Sequence, residues 1–184
     1  MRLFVSVDLP EDLADEVARV QDRLARASGL DLTDPEQAHV TLKFLGEVNK
    51  GQLPRVKNAV RRAVTEAGVG PFEAAYEGLG VFPGLGYINV VWLGVGEGGE
   101  ELTRLHEAVE REVTRLGFDA EDRDFTPHVT LARMNHAGGK EHVQEVVETR
   151  EPTVGTATVE EIRLTESVLT DDGPEYETVA SFPL

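Results

Sequence analysis

The run His39-Val40-Thr41-Leu42-Lys43-Phe44-Leu45-Gly46 is echoed by Pro127-His128-Val129-Thr130-Leu131-Ala132-Arg133, so HVTL occurs twice, 89 residues apart. Both runs read as strands, rich in β-branched and apolar residues. Side chains on a strand alternate between its faces. Val40, Leu42 and Phe44 are therefore expected in a core, and His39, Thr41 and Lys43 on the opposite face. In the second copy Val129 and Leu131 point inward, His128 and Thr130 outward. A His and a Thr two residues apart lie roughly 6.6–7 Å from each other, at about 3.3 Å per residue. A phosphate placed between them can touch both. One His-x-Thr carries little weight. Two identical copies on predicted strands indicate two similar halves that face each other across a site. This is a single duplication, not the short period of a solenoid.

The flanking sequence sets the fold class. Leu13, Val17, Val20 and Leu24 mark one face of a helix that closes at Gly29. Leu53, Val56, Val60 and Val64 mark a second, ended by Gly68, and Leu102, Leu105, Val109, Val113 and Leu116 a third, ended by Gly117. A shorter helix is expected over 139–149. Strand-like runs cover 2–7, 38–45, 72–79, 87–95, 127–132, 159–169 and 175–182. Strands and helices mix without a regular βαβ rhythm. That predicts an α+β fold of mainly antiparallel sheet. The chain of 184 residues suits one domain or two tightly packed small lobes.

Composition narrows the chemistry. There is no cysteine, so disulfides, thiolate metal sites and cysteine nucleophiles are excluded. The start, Met1-Arg2-Leu3-Phe4-Val5-Ser6-Val7-Asp8, does not resemble a signal peptide. No apolar run is long enough to span a bilayer. A soluble cytoplasmic protein is expected. Asp and Glu number 34 against 18 Lys and Arg, and the acids are spread rather than gathered in a tail. A general nucleic-acid binder would carry a basic face; here a polyanion must be held by a few local bases. The spread of acids reads as adaptation to a salty cytoplasm.

Opening a cyclic phosphodiester needs a base to activate water and an acid to protonate the leaving oxygen. Histidine does either near neutral pH. Threonine hydroxyls can donate to the non-bridging oxygens. Strict alternation puts Arg133 on the core side, unless a bulge turns it round. Lys43 reads equally as an RNA-steering base or a plain surface lysine. Phe82 and Tyr87 could stack on a base, although core packing is the expectation for both. His106, His136 and His142 look structural. No carboxylate or third histidine stands at ligand spacing near His39 or His128, which disfavours a metal site. Ser167 lacks the G-x-S-x-G context of a hydrolase nucleophile.

The two HVTL segments resemble the paired signatures of the 2H phosphoesterase superfamily, and within it the RNA 2′,3′-cyclic phosphodiesterases, also called 2′-5′ RNA ligase-like proteins. Arg2 to Pro10, Gly80-Val81-Phe82-Pro83, Leu164-Thr165-Glu166-Ser167 and Gly173-Pro174-Glu175-Tyr176 resemble further landmarks. The resemblance implies one bilobal domain over 1–184, with two intertwined, pseudo-symmetric lobes around a central cleft. It implies hydrolysis of an RNA-terminal 2′,3′-cyclic phosphate to a 2′-phosphate without cofactor or metal. His39 would be the proton donor and His128 the proton acceptor, roles between which the symmetric sequence itself does not choose. Thr41, Thr130 and Arg133 would bind phosphate. The implied partner is an RNA 3′ end or a nucleotide with a cyclic phosphate. No membrane and no obligate protein partner are implied, and a monomer is the default. The alternatives are a phosphodiesterase or ATP-independent ligase acting on 2′-5′ linkages, an enzyme of small cyclic nucleotides, and a silent RNA-end binding module.

The charge excess carries a test. Raising salt from 0.1 M to 1 M shortens the screening length from about 10 Å to about 3 Å, so the melting temperature should rise steadily over that range. A flat or falling curve would remove the halophilic reading.

Overall fold

A computed structural model describes residues 1–184. Nine strands form one sheet: β1 (Arg2–Asp8), β2 (Leu30–Leu32), β3 (His39–Glu47), β4 (Phe72–Gly84), β5 (Tyr87–Val95), β6 (His128–Met134), β7 (Thr153–Val159), β8 (Glu161–Thr170) and β9 (Gly173–Pro183). Four helices pack against it: α1 (Ala14–Leu24), α2 (Leu53–Ala67), α3 (Gly99–Thr114) and α4 (Lys140–Thr149). The strand order is β7-β4-β5-β6-β3-β1-β8-β9, and β2 pairs with β6. Every pairing is antiparallel. The α+β class is as expected, with two four-strand halves meeting at β3 and β6. The short strand β2 and the edge strand β7 were not anticipated.

The helices sit where their apolar stripes dictate. Val17, Val20 and Leu24 of α1, Val56, Ala59, Val60 and Ala63 of α2, and Leu102, Leu105, Val109 and Val113 of α3 are all buried. Fully burying one Val or Leu contributes roughly 1.5–3 kcal/mol, so these stripes hold the helices to the sheet. Helix α2 ends at Gly68, whose φ of 61° suits the left-handed cap. Helix α1 follows β1 but packs on β6 and β7 of the other half, beside α4. Helix α3 follows β5 and crosses the other way, packing on β3 and α2. None of the helices is long and apolar enough to cross a membrane.

The halves join where β3 meets β6, at the single pair Val40 and Val129. Beyond it the strands part, and β2 takes up the far end of β6 at Leu32 to Leu30.

Both signature strands carry a bulge at the same place. Against β1, Ser6 pairs with Thr41 but Val5 pairs with Lys43, leaving Leu42 as the extra residue. Against β5, Trp92 pairs with Thr130 but Val91 pairs with Ala132, leaving Leu131 extra. An extra residue in one strand reverses the faces of all that follows. Hence the expectation for Phe44 and Lys43 is corrected. Phe44 is not in the core but 61% exposed, and Lys43 is neither an RNA-steering nor a surface base but 4% exposed. The Lys43 ammonium reaches Glu110 of α3 at 2.9 Å and donates to the Asp119 carbonyl at 2.7 Å, pinning the segment that leads to β6.

The core is one contiguous cluster that runs through both halves. We propose that residues 1–184 therefore fold as a single unit of two intertwined lobes. Urea unfolding followed by far-UV circular dichroism and by Trp92 fluorescence should give one coincident transition. Two separated transitions would make the lobes independent.

Candidate active site

The antiparallel register centred on Val40 and Val129 sets His39 across from Thr130, and Thr41 across from His128. The two histidines are thus diagonal neighbours, which in such a sheet lie roughly 7–8 Å apart. Their rings are half-buried and so are both threonines. All four side chains share the face that the sequence assigned to them.

Each ring is held the same way. His39 Nδ1–H donates to the Gln37 carbonyl at 2.9 Å, and His128 Nδ1–H donates to the Thr126 carbonyl at 2.7 Å. Each acceptor lies two residues before its histidine. A carbonyl only accepts, so Nδ1 carries the proton and Nε2 is left to gain or lose one. Aromatic walls flank both rings. Phe4 and Tyr176 stand against His39 with ring centroids 5.1 Å away in each case. Phe82 and Trp92 stand against His128 at 5.0 and 5.9 Å. Phe82 is thus a wall of the site rather than core packing, and Tyr87 is 70% exposed beside the β4–β5 turn. Gly80 of β4 makes room for this wall, because a Cβ there would collide with the Trp92 ring.

Burial pulls the His39 pKa below the ordinary 6.5, against the Nδ1 hydrogen bond and the Asp8 charge, which both raise it; Arg133 adds to the lowering. Burial likewise lowers His128. Its bond to Thr126 opposes this, while the charges of His39 and Arg133 add to it. Arg133 is exposed, and its charge acts on both rings. The bulge at Leu131 is what turns it away from the core side. By the same shift its counterpart in β3, Phe44, comes to face Phe4, with centroids 5.9 Å apart. One half thus presents a cation where the other presents an aromatic ring. No cluster of three or more His, Asp or Glu side chains stands together in a way that could hold a metal ion.

Two residues that sequence reading did not mark as functional hold the bulges. His106 of α3 donates from Nδ1 to the Leu42 carbonyl at 2.7 Å and stacks on Phe125, with centroids 4.1 Å apart. Gln21 of α1 donates to the Leu131 carbonyl at 3.0 Å, joined by the Thr33 hydroxyl at 3.1 Å. Each therefore satisfies the carbonyl of a bulged residue, from a helix that crossed over from the other half. The only sequence signal was a polar residue inside an apolar helix stripe.

Residues 9–170 match the family model of the 2′-5′ RNA ligase superfamily. The chain belongs to this superfamily. A Methanothermobacter thermautotrophicus protein named RNA 2′,3′-cyclic phosphodiesterase is 40% identical, with 100% of this chain and 99% of that protein covered. An Archaeoglobus fulgidus protein of the same name is 37% identical, with 99% of both covered. A solved Thermus thermophilus structure superposes with a TM-score of 0.82 at 30% identity, covering 100% of this chain and 98% of that one. The bilobal fold around a central cleft is therefore that of the 2′-5′ RNA ligase superfamily.

The bulge supports can be tested directly. Leaving a buried carbonyl without its donor removes about 1–3 kcal/mol, so His106→Leu should lower urea stability by about that much. His106→Gln, which copies the Gln21 solution, should recover most of the loss. Equal losses in both variants would assign the effect to packing.

Proposed function

We propose that this chain hydrolyses 2′,3′-cyclic phosphates at RNA ends to 2′-phosphates, using His39 as acid and His128 as base. The observation that carries this reading is the pair of diagonal histidines, each with Nδ1 tied to a carbonyl and each beside the other copy's threonine. The names of the two archaeal relatives agree with it.

In the proposed step, neutral His128 takes a proton from water at Nε2. The water oxygen attacks phosphorus, and the bond to the 3′-oxygen breaks in line. Protonated His39 gives its Nε2 proton to that leaving oxygen. The product is a 2′-phosphate beside a 3′-hydroxyl, and the rings reset through solvent. Thr41, Thr130 and Arg133 would hold the non-bridging oxygens, where charge must be stabilised. Burial lowers both rings; among the charges, Asp8 favours protonated His39 and Arg133 opposes it, whereas His39 and Arg133 both disfavour protonated His128. No third ligating side chain stands beside the histidines, and acid–base groups carry the proposed step. Phe44 offers a face to a base, and base–aromatic stacking contributes about 1–3 kcal/mol. A 5′-hydroxyl attacking in place of water would create a 2′-5′ link through the same geometry. That second reading is favoured by the superfamily's name.

A short RNA ending in a 2′,3′-cyclic phosphate, followed by phosphorus NMR with EDTA present, tests both. Conversion to a 2′-phosphate is expected, and His39→Ala and His128→Ala should each lose about 10²–10⁴-fold in rate. A base of lowered pKa stays neutral to lower pH, and an acid of lowered pKa loses its proton at lower pH. The kcat/KM profile should therefore be a bell whose two limbs lie on the acid side of the ordinary imidazole value, about 6.5. An undiminished rate in either alanine variant would defeat the two-histidine reading.

A further inference from the structure

The two histidines match in sequence, in their carbonyl bonds and in an edge-on aromatic neighbour, Tyr176 for His39 and Phe82 for His128, yet the two neighbours are held differently. Strand β1 pairs with β8 only from Arg163 to Glu166. Beyond Glu166 the β8–β9 ladder continues without β1, from Ser167 with Tyr176 to Thr170 with Gly173. A register shift between Leu164 and Thr165 marks a bulge in this ladder. The hairpin end comes back to the segment before His39. There the Gln37 amide donates from Nε2 to the Pro174 carbonyl at 3.1 Å, and its Oε1 accepts from the Tyr176 N–H at 3.0 Å. Tyr176 thereby stands edge-on to His39, at 87°, and edge-on to Phe4 at 5.2 Å and 78°. Gln37 thus holds the His39 ring through its backbone carbonyl and the hairpin through its side chain. Thr126 gives His128 only the carbonyl.

We propose that Tyr176, clamped by Gln37, is a positioning residue that roofs His39 and fixes the orientation of its ring. This rests on the functional reading above and deepens it, since it names what holds the proton donor of that reading in place. The groups facing His39 are Asp8 of β1, itself paired with Arg163 of β8, together with Arg133 and His128 of β6 and Tyr176 of β9. Only Tyr176 and Phe4 close over the ring. Removing the roof admits water to His39 and leaves His128 as it was.

The test uses Tyr176→Leu, Tyr176→Phe and Gln37→Ala in the full chain. Gln37→Ala removes the clamp but keeps the carbonyl that holds His39. In Tyr176→Leu and Gln37→Ala, kcat should fall about tenfold or more through lost ring orientation, with KM moving less. The alkaline limb, set by the proton donor, should move to higher pH as His39 is hydrated. Tyr176→Phe should behave as wild type. Titration of the two imidazoles by NMR needs no substrate, and it should show only His39 moving upward. Unmoved His39 titration in both Tyr176→Leu and Gln37→Ala, with the protein folded, would overturn the proposal. A wild-type chain that opens no cyclic phosphate would defeat the functional reading instead, and the NMR titration would still decide whether the roof exists.

Discussion

An extra residue at the same point of two central strands controls which side chains beyond the two HVTL motifs face the cleft. Leu42 and Leu131 each stand unpaired in their ladders. With period-2 alternation, an unbulged β6 would aim Arg133 into the core side, where an unpaired charge is strongly disfavoured. An unbulged β3 would bring Lys43 out and Phe44 in. The bulges place the cation and the aromatic ring on the cleft face and leave Lys43 inside, where Glu110 and the Asp119 carbonyl meet its charge. A bulge leaves its own backbone needing partners. His106 and Gln21 supply them from helices that cross between halves. Helix crossover, bulge and cleft composition are thus one coupled arrangement.

Near-symmetry builds the site and small departures from it give the site direction. The two carbonyl-held rings are alike, as are their threonines. Arg133 against Phe44, Asp8 beside His39 and the Gln37 clamp on Tyr176 have no counterpart across the pseudo-twofold. The proposed acid and base need unlike environments, and these side chains set the surroundings of the two rings apart. The charge of the chain adds a further constraint. At −16 overall, the surface repels anions in general, and Arg133 is a local cation whose charge acts on both rings.

Much of this was legible in the residues. The repeated HVTL located the junction of the halves, and alternation put His39, Thr41, His128 and Thr130 on one face, because these positions precede the bulges. The helix stripes named the buried faces of α1, α2 and α3. Alternation failed from Lys43 onward, since a bulge is a property of the pairing between two strands and leaves no mark in either strand alone. Gln21, His106 and Gln37 were passed over for a related reason. A polar side chain in or before a regular element reads as solvated until its partner is known, and each partner lies on an element far away in the chain.

Sequence by itself determined the chemistry available: two histidines that can trade protons near neutrality, two hydroxyls beside them, and no thiol. It also determined the α+β class and the superfamily, because periodicity and motif spacing are local. Tertiary structure alone decided which nitrogen of each ring is free, which cation and which aromatic ring face the cleft, and that Gln37 clamps the hairpin beside His39. Those outcomes depend on hydrogen bonds and contacts between residues distant in the chain, and they exist only once the sheet has closed.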